Sequence, residues 1–366
     1  MLLRVLVLPG DGVGPEVTSE AVAVLERAAA VFGHQLETSC AAIGGAAIEA
    51  EGVPLPEATA RAAEEAPATL LGAVGLPRFD HLPPERRPER GLLDLRRRLG
   101  VFANLRPSRS WPSLVGASPL KNAVVEGTDL VFVRELTSGL YYGTPRGIEG
   151  AGGDERSVNT MTYTRAEIER VARVAFELAR GRRRRVTSVD KSNVLETSQL
   201  WRRVVTEVAR DYPDVELGHM FVDNCAMQLV LNPRQFDVVL TENLFGDILS
   251  DEAAVLAGSI GMLASASIGP LVGAAPGEAR ARRGLYEPVH GSAPDLAGKG
   301  IANPLGAIGS AAALLQHSFG LHREAAAVTR AIDQVVASGR VTADLGPAGP
   351  PATTREVGQA VCEGIH

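Results

Sequence analysis

The sequence has few cysteines, few aromatic residues and no excess of positive charge, and each shortage excludes a class of protein. Its 366 residues include three scattered cysteines, Cys40, Cys225 and Cys362. An odd, dispersed set fits inert thiols in a reducing compartment better than a disulfide framework. Aromatic residues make up 4% of the chain, and the formal net charge is −6. We therefore expect neither nucleic acid nor an anionic membrane as a partner.

Long hydrophobic runs are also missing. No segment reaches the roughly 18 continuous apolar residues that a membrane span needs, so no span is expected. The opening stretch MLLRVLVLPGDG is apolar for only a few residues before Pro and Gly interrupt it, which is too short for a signal peptide. These absences predict a soluble, cytoplasmic protein.

What the sequence does contain is an alternation of strand-like and helical segments. Its length and 45% hydrophobic content predict two domains or one large α/β unit. Apolar β-branched runs predict strands at 2–8, 68–75, 129–136, 185–190 and 236–242. Helical periodicity predicts helices at 15–33, 164–181, 241–259 and 303–320. This order indicates an α/β fold with a largely parallel sheet, in which 269–284 and 345–354 are the most linker-like stretches.

Two glycine-rich loops are candidates for ligand binding. PGDGVGP (9–15) lies between a predicted strand and a predicted helix, and it is compatible either with a phosphate-binding loop or with a tight turn that holds no ligand. EPVHGSAPDLAGKGIANP (287–304) concentrates Pro, Gly, His, Asp and Asn in eighteen residues, which favours a shaped ligand loop over a simple connection.

An acidic pair on a mostly apolar helix predicts a metal site. Asp247 and Asp251 are four residues apart in TENLFGDILSDEAA, so both carboxylates lie on one helix face and repel each other unless a cation lies between them. The apolar neighbours predict that much of this helix is enclosed, although a solvated acidic face remains the alternative. Asp223, in an apolar context, is the candidate third ligand, or else a helix cap.

Four basic residues, of which Arg134 and Lys191 lie at the ends of predicted strands, are candidates for carboxylate binding and proton transfer. Arg96, Arg106 and Arg134 have the forked guanidinium that binds carboxylates in a bidentate manner, although each alone is more often a surface ion-pair partner. Lys191 follows a predicted strand, where sites in α/β proteins collect, and it is a candidate base. The run RGRRRR (180–185) is interpreted as a solvated helix end.

Together these segments resemble the β-decarboxylating dehydrogenases, the family of isopropylmalate, isocitrate, homoisocitrate and tartrate dehydrogenases. The resemblance rests on LPGDGVGPEV, FANLRP, VRELTSGLYYGTPRG, VDKSNVLETSQLW, VDNCAMQLV, TENLFGDILSDEAA and EPVHGSAPDLAGKGIANP, in the family's order along nearly the whole chain. RELTSGLYYG is similar to the isopropylmalate branch, whereas the isocitrate and homoisocitrate branches typically have ENTEG at that place.

The resemblance implies an isocitrate/isopropylmalate dehydrogenase-like fold that is not a Rossmann fold. Two α/β domains would share a large mixed central sheet, with the active site in the cleft between them. The first domain would comprise 1–101 and 258–366 and carry the nucleotide loops. The second would comprise 102–257 and carry the dimer interface, the metal aspartates and the catalytic side chains. The family is dimeric, and its sites are completed across the subunit interface.

The same resemblance implies NAD-dependent oxidative decarboxylation of 3-isopropylmalate to 2-oxoisocaproate, a step of leucine biosynthesis. Mg²⁺ or Mn²⁺ would be held by Asp247 and Asp251 of one subunit and Asp223 of the other, with Asp223 also near the substrate. Lys191 would take the proton of the 2-hydroxyl, and Tyr141 would protonate the enol carbon. The residues implied in holding the substrate are Leu92, Leu93, Arg96, Arg106, Arg134 and Asn193.

Specificity and cofactor choice are implied in the same way. Leu92 and Leu93 would form the apolar wall for an isopropyl group and leave an extra carboxylate unpaired. Asp295 stands where relatives that use NADP carry a lysine, and a carboxylate there accepts bonds from ribose hydroxyls and repels a 2′-phosphate, which favours NAD. The residues implied around the dinucleotide are Glu89, His290, Gly291, Ser292, Ala293, Asp295 and Asn303.

Three departures from the family pattern leave alternatives open. Ser138 replaces a usual glycine, Ala264 a usual proline, and 269–284 is longer than the usual connection. A paralogue that acts on another 3-substituted malate or on tartrate is one alternative. A non-catalytic regulatory subunit is the other, and it is disfavoured because the chain keeps the metal aspartates, Lys191 and Tyr141.

Overall fold

Strands and helices alternate along the chain as the hydrophobic pattern predicts. The structure is a computed structural model, and it describes residues 1–272 and 281–366. The strands are β1 (Leu2–Gly10), β2 (Gln35–Cys40), β3 (Ala68–Ala73), β4 (Ala103–Arg109), β5 (Asp129–Glu135), β6 (Gly147–Glu149), β7 (Arg156–Val158), β8 (Arg185–Asp190), β9 (Glu216–Phe221), β10 (Val238–Thr241), β11 (Ala264–Val272) and β12 (Ala281–Pro288).

The α-helices occupy the segments between these strands and the C-terminal part of the chain. They are α1 (Gly14–Phe32), α2 (Gly45–Glu51), α3 (Glu57–Glu65), α4 (Pro88–Leu99), α5 (Asn122–Val125), α6 (Arg165–Arg180), α7 (Glu196–Ala209), α8 (Val222–Leu231), α9 (Asn243–Ala254), α10 (Leu305–His317), α11 (His322–Ser338) and α12 (Thr354–Glu363). Every predicted helix and strand is present, with its ends shifted by a few residues at most apart from the shorter α9 and α10. The α/β fold class is confirmed.

The chain divides into two compact units. The first unit comprises 1–101, 110–122 and 254–366, and the second comprises 102–109 and 123–253. The predicted assignment of nucleotide loops to one domain and catalytic side chains to the other stays a prediction.

In the first unit the strand order is β2-β1-β3-β12-β11. The pairs β1–β2, β1–β3 and β3–β12 are parallel, and β11 is antiparallel to β12. Helix α1 packs against α10 and α12. The sheet is buried by such helices, and β3 accordingly is buried at every position. The two ends of the stretch predicted as a linker, 269–284, belong to strands β11 and β12. Residues 273–280 between them lie outside the described residues.

In the second unit the order is β4-β5-β10-β8-β9, with β4 antiparallel to β5 and the other pairs parallel. Helices α6 and α7 pack on each other, and α6 also packs on β5, β10 and β8. The small hairpin β6–β7 stands apart from this sheet. Both units therefore contain mixed rather than purely parallel sheet, as the resemblance implied.

Helix ends follow the local sequence signals. Helix α1 has Pro15 in its first turn and ends at Gly33 in the left-handed conformation (φ 73°). Helix α6 begins with the predicted capping box, in which Thr164 and Glu167 satisfy each other's backbone N–H groups.

The PGDGVGP loop is a tight turn that uses its own polar groups. Asp11 is 3% exposed, and its carboxylate accepts from the backbone N–H groups of Gly45, Ala46 and Gly75, each at 2.8 Å. The N–H of Val13 donates to the carbonyl of Ser292 at 2.8 Å. These bonds hold the loop as a tight turn and engage the Asp11 carboxylate and the Val13 N–H within the protein.

Candidate active site

The carboxyl ends of four neighbouring strands in the second unit carry the predicted catalytic side chains. Strands β5, β10, β8 and β9 run parallel, so their carboxyl ends meet at one edge of the sheet. Arg134 lies near the end of β5, Lys191 follows β8, and Asp223 lies just beyond β9 in the first turn of α8. The short β10 leads directly into α9, which carries the acidic pair.

Asp247 is the centre of the polar cluster at this edge. The buried guanidinium of Arg134 (1% exposed) donates to Oδ1 of Asp247, and the hydroxyl of Tyr141 donates to Oδ2 at 2.6 Å. The guanidinium of Arg134 also lies over the ring of Tyr141, 5.5 Å from its centroid. Three of the predicted site residues are therefore brought together.

Asp251 is paired with the second predicted arginine. Arg106 donates from Nη1 to Asp251 Oδ1 at 2.9 Å and to Ser250 Oγ at 2.8 Å. Its Nε donates to Asn104 Oδ1 at 2.8 Å, and its Nη2 lies 3.4 Å from Asp247 Oδ1. The two aspartates are thus each held by an arginine, and these cations offset the repulsion that the sequence predicts for the acidic pair.

The environment shifts two pKa values in this cluster. Partial burial raises the pKa of Asp251, Arg106 opposes that shift, and the negative charge of Asp247 adds to it. Burial, together with the bond to Asp247, raises the pKa of Tyr141 to about 12. Tyr141 is consequently a protonated hydroxyl that can donate at neutral pH.

The predicted enclosure of the acidic helix is wrong for part of its surface. Leu249 and Ala253 are buried as expected, but Ile248 is 59% exposed and Val255, just after α9, is 42% exposed. The Asp251 side chain is 57% exposed. Some apolar side chains of α9 are therefore not covered by any described part of the chain. The sequence pattern alone does not reveal this exposure.

Lys191 and Asp223 form a second polar pair. Lys191 Nζ donates to Asp223 Oδ1 at 2.8 Å, and this bond lowers the pKa of Asp223. Asn193 is exposed two residues further on. Among the described residues of one chain, no three His, Cys, Asp or Glu side chains are arranged to hold a metal ion.

The predicted residues of α4 belong to the first unit. Arg96 is buried and donates from Nη2 to Glu287 Oε1. Leu92 and Leu93 are only half-buried, whereas Leu95 and Leu99 fill the core. Two leucines of the helix are therefore accessible for contact with an apolar group.

A cavity of about 600 Å³ lies between the PGDGVGP turn and the glycine-rich loop 287–304 of the first unit. Its lining includes Gly10, Gly12, Arg78, Pro294 and the exposed Asp295. Its size lies within the range typical of small-molecule sites. Glu89, also predicted here, is exposed, and its carboxylate lies close to Gly75.

The remaining predicted residues of the nucleotide loop differ in hydrogen bonding, backbone conformation and burial. His290 Nδ1 bonds to the carbonyl of Gly291 at 2.8 Å, whereas its shielded Nε2 has no hydrogen-bond partner among the described residues. Burial lowers the pKa of His290, so the ring is neutral and Nε2 is an acceptor. Ala293 has a left-handed backbone (φ 40°), a strained conformation that occurs often at ligand sites. Ser292 is buried.

Asn303 is the predicted loop residue whose side chain is already engaged. Its Oδ1 accepts from the N–H of Leu305, and its Nδ2 donates to Asp344 Oδ2, both at 3.0 Å. Asp344 also accepts from the hydroxyls of Ser259 and Thr342. Sequence reasoning did not find Asp344 or Glu287, because the site residues that they bind, Asn303 and Arg96, lie 41 and 191 positions away and leave no local pattern.

Ser138 and Ala264, two of the departures, are accommodated without strain in the backbone. Ser138 has φ −133°, an extended conformation open to any residue, and the left-handed position is Gly139 beside it. Ala264 begins β11 opposite Pro288.

Among the residues that the structure describes, no helix has the length and apolar character that crossing a bilayer requires.

Known proteins resemble this chain over nearly all of its length. A family model described as isocitrate/isopropylmalate dehydrogenase matches residues 4–361. The 3-isopropylmalate dehydrogenase of Halalkalibacterium halodurans is 53% identical, with 99% of this chain and 98% of that protein covered. That of Aquifex aeolicus is 50% identical, with 99% and 97% covered. The crystal structure of isocitrate dehydrogenase from Methylococcus capsulatus matches with a TM-score of 0.86 at 36% identity, covering 99% of both chains.

Proposed function

Because the chain belongs to the isocitrate/isopropylmalate dehydrogenase family, we propose that it catalyses the NAD-dependent oxidative decarboxylation of 3-isopropylmalate to 2-oxoisocaproate and CO₂, a step of leucine biosynthesis in the cytoplasm. The observation that carries the proposal is the cluster of Arg106, Arg134, Tyr141, Asp247 and Asp251, which combines carboxylate-binding cations, a protonated hydroxyl and paired oxygen donors. The 3-isopropylmalate dehydrogenases at 50–53% identity support this substrate.

The donor set of α9 fits a divalent cation. Asp247 and Asp251 present carboxylate oxygens one helical turn apart, the ligand type that Mg²⁺ and Mn²⁺ prefer. The third ligand would be the partner subunit's Asp223. When bound, such a cation supplies Lewis acidity towards the C2 oxygen of the substrate.

The first unit fits a dinucleotide. The cavity beside Asp295 has suitable volume. Nε2 of His290, which no described residue of this chain bonds, is an acceptor suited to the amino group of an adenine. Glu89, Gly291, Ser292, Ala293 and Asn303 would complete the site. When bound, NAD supplies the acceptor for the hydride from C2. Asp295 accepts from ribose hydroxyls and disfavours a 2′-phosphate.

The side chains of the protein bind the substrate and move its protons. Arg96, Arg106 and Arg134 would bind the two carboxylates, and binding requires Arg106 and Arg134 to share or leave their present aspartate partners. Leu92 and Leu93 would contact the isopropyl group. Lys191, positioned with Asn193 and belonging to the partner subunit, would accept the proton of the 2-hydroxyl, and Tyr141 would return a proton to the carbon that loses CO₂.

A homodimer follows from this arrangement, because Lys191 and Asp223 would complete the site of the other subunit. The exposed apolar side chains of α8 and α9 support an interface there. Met227 is 56% exposed, Leu231 66% and Ile248 59%. Large apolar side chains exposed in this way are typical of surfaces that a protein partner covers.

The test is NADH formation with Mg²⁺ and 3-isopropylmalate, compared with isocitrate, malate and tartrate as substrates. We expect turnover with isopropylmalate to exceed that with the other acids. Lys191→Ala should lower kcat by roughly 10²–10⁴-fold while leaving the oligomeric state unchanged, and the exposed Lys121→Ala is the matched control. Turnover with isocitrate alone would refute the substrate, and an active Lys191→Ala enzyme would refute the base.

A further inference from the structure

Asn243 has a fully buried side chain that links Arg134 to the turn that carries Tyr141. It is the first residue of α9, and it is 0% exposed. Its Oδ1 accepts from Nε of Arg134 at 3.0 Å and from Nη2 at 2.8 Å. Its Nδ2 donates to the carbonyl of Ser138 at 2.9 Å. Both the acceptor and the donor of one amide are therefore used, each towards a different part of the candidate site.

The bonds to Arg134 determine how its guanidinium is oriented. A guanidinium is planar and rigid, so fixing Nε and Nη2 on one oxygen also fixes the direction of Nη1, which donates to Asp247. Helix α9 lies directly on the stem of this arginine. A Cβ at Gly246 would be 2.7 Å from Cγ of Arg134 and 2.9 Å from its Cβ, so only glycine permits this approach.

The bond to Ser138 acts on the turn that carries Tyr141. Ser138 immediately precedes the 3₁₀ turn Gly139–Tyr141, so its carbonyl anchors the start of that turn. The backbone N–H of Asn243 also donates to the hydroxyl of Tyr163 at 2.8 Å, which holds the asparagine in place from a third direction. Tyr141 then reaches Asp247 from the far end of the turn.

We propose that Asn243 is a positioning residue that orients Arg134 through its amide oxygen and Tyr141 through its amide nitrogen. This inference rests on the proposed function, in which Arg134 binds a substrate carboxylate and Tyr141 donates a proton. Because the two halves of the amide serve different residues, the oxygen controls substrate binding and the nitrogen controls the chemical step.

Two substitutions separate the role of the amide oxygen from that of the amide nitrogen. Asn243→Ala removes both groups. It should raise KM and the calorimetric Kd for 3-isopropylmalate about 10–100-fold, because hydrogen bonds to a charged group are lost, and it should lower kcat about tenfold, because the proton donor is misplaced. Asn243→Asp keeps oxygens that accept from Arg134 but cannot donate to Ser138. It should keep KM within about threefold of wild type while kcat still falls about tenfold. All assays use saturating Mg²⁺.

A control for general destabilisation is Phe176→Leu, which changes a buried side chain on α6 that stacks on Tyr212 and takes no part in the cluster. It should lower stability and leave KM and kcat near the wild-type values. The inference is overturned if both Asn243 variants retain wild-type KM and kcat, or if Asn243→Asp shifts KM as much as Asn243→Ala does. If wild type neither binds nor oxidises isopropylmalate, the proposed function fails instead, and the same comparison is made with whichever hydroxy-acid the wild type oxidises.

Discussion

Glu242 is a buried carboxyl group whose ionisation should make the stability of the protein depend on pH. It lies between β10 and α9 and is 1% exposed. One oxygen accepts from Ser198 Oγ, and Oε2 has no partner among the described residues. Burial raises the pKa of Glu242 from 4.5 to about 7, with Ser198 lowering it and Asp190 raising it. The perturbation we propose is Glu242→Gln, a neutral side chain of the same shape.

The sign follows from proton binding in the two states. Between the unfolded pKa of 4.5 and the folded pKa of about 7, the folded state binds more protons, so this contribution to stability is present below pH 4.5 and is lost as pH rises through 7. This difference between the folded and unfolded pKa corresponds to about 3 kcal/mol of unfolding free energy in total. Roughly 2–3 kcal/mol of it is lost between pH 5 and pH 8.5. Gln does not titrate, so the variant lacks this loss.

The assay is urea unfolding of wild type and Glu242→Gln from pH 5 to pH 8.5 at one protein concentration, because an oligomer's stability depends on concentration. We expect similar stability near pH 5 and a variant more stable by about 2–3 kcal/mol at pH 8.5. Ser198→Ala should move the window to higher pH, since it removes the bond that favours the carboxylate. A difference between wild type and Glu242→Gln that stays constant with pH would refute the reasoning.

Three further predictions concern a buried carboxylate, a helix cap and the coenzyme. Asp11→Ala leaves three backbone N–H groups without their acceptor and should lower the unfolding free energy by about 2–4 kcal/mol, whereas a loss under about 0.5 kcal/mol in urea melts would contradict its role. Thr164→Ala should cost about 1 kcal/mol in thermal unfolding, and mid-helix Thr329→Ala, which should cost little, is the control. Asp295→Lys should raise KM for NAD and lower KM for NADP, and an unchanged ratio of kcat/KM values would exclude Asp295 from coenzyme choice.

Local sequence patterns predicted the elements well. Helix α6 is an example, because a capping box and an apolar stripe are properties of adjacent residues. The motif order also predicted a set of site residues, of which Arg134, Tyr141 and Asp247 lie together, and their roles in the chemistry stay a prediction. Pattern alone did not reveal what holds the PGDGVGP turn in shape. That depends on the bonds of Asp11 to Gly45, Ala46 and Gly75, which lie 34 to 64 residues further along the chain.

The exposed side of α9 shows a second limit. The sequence marks Ile248 and Leu249 equally as apolar, yet one is exposed and the other buried. Periodicity gives a helix face but does not say whether the chain itself or another molecule covers that face. The amide of Asn303 shows the same limit, since its motif does not reveal that its atoms bind Asp344 and Leu305.

By itself, the sequence determined the alternation of strands and helices, the helix ends and the set of polar residues available for chemistry, because these depend on neighbours within a few positions. Only the tertiary structure decided that Asn243 lies between Arg134 and Ser138, that Glu242 is buried away from water, and that Nε2 of His290 meets no hydrogen-bond partner in the described part of the chain. The reason is physical: a hydrogen bond or a shifted pKa depends on distance and burial in space, and residues a hundred positions apart share neither until the chain has folded.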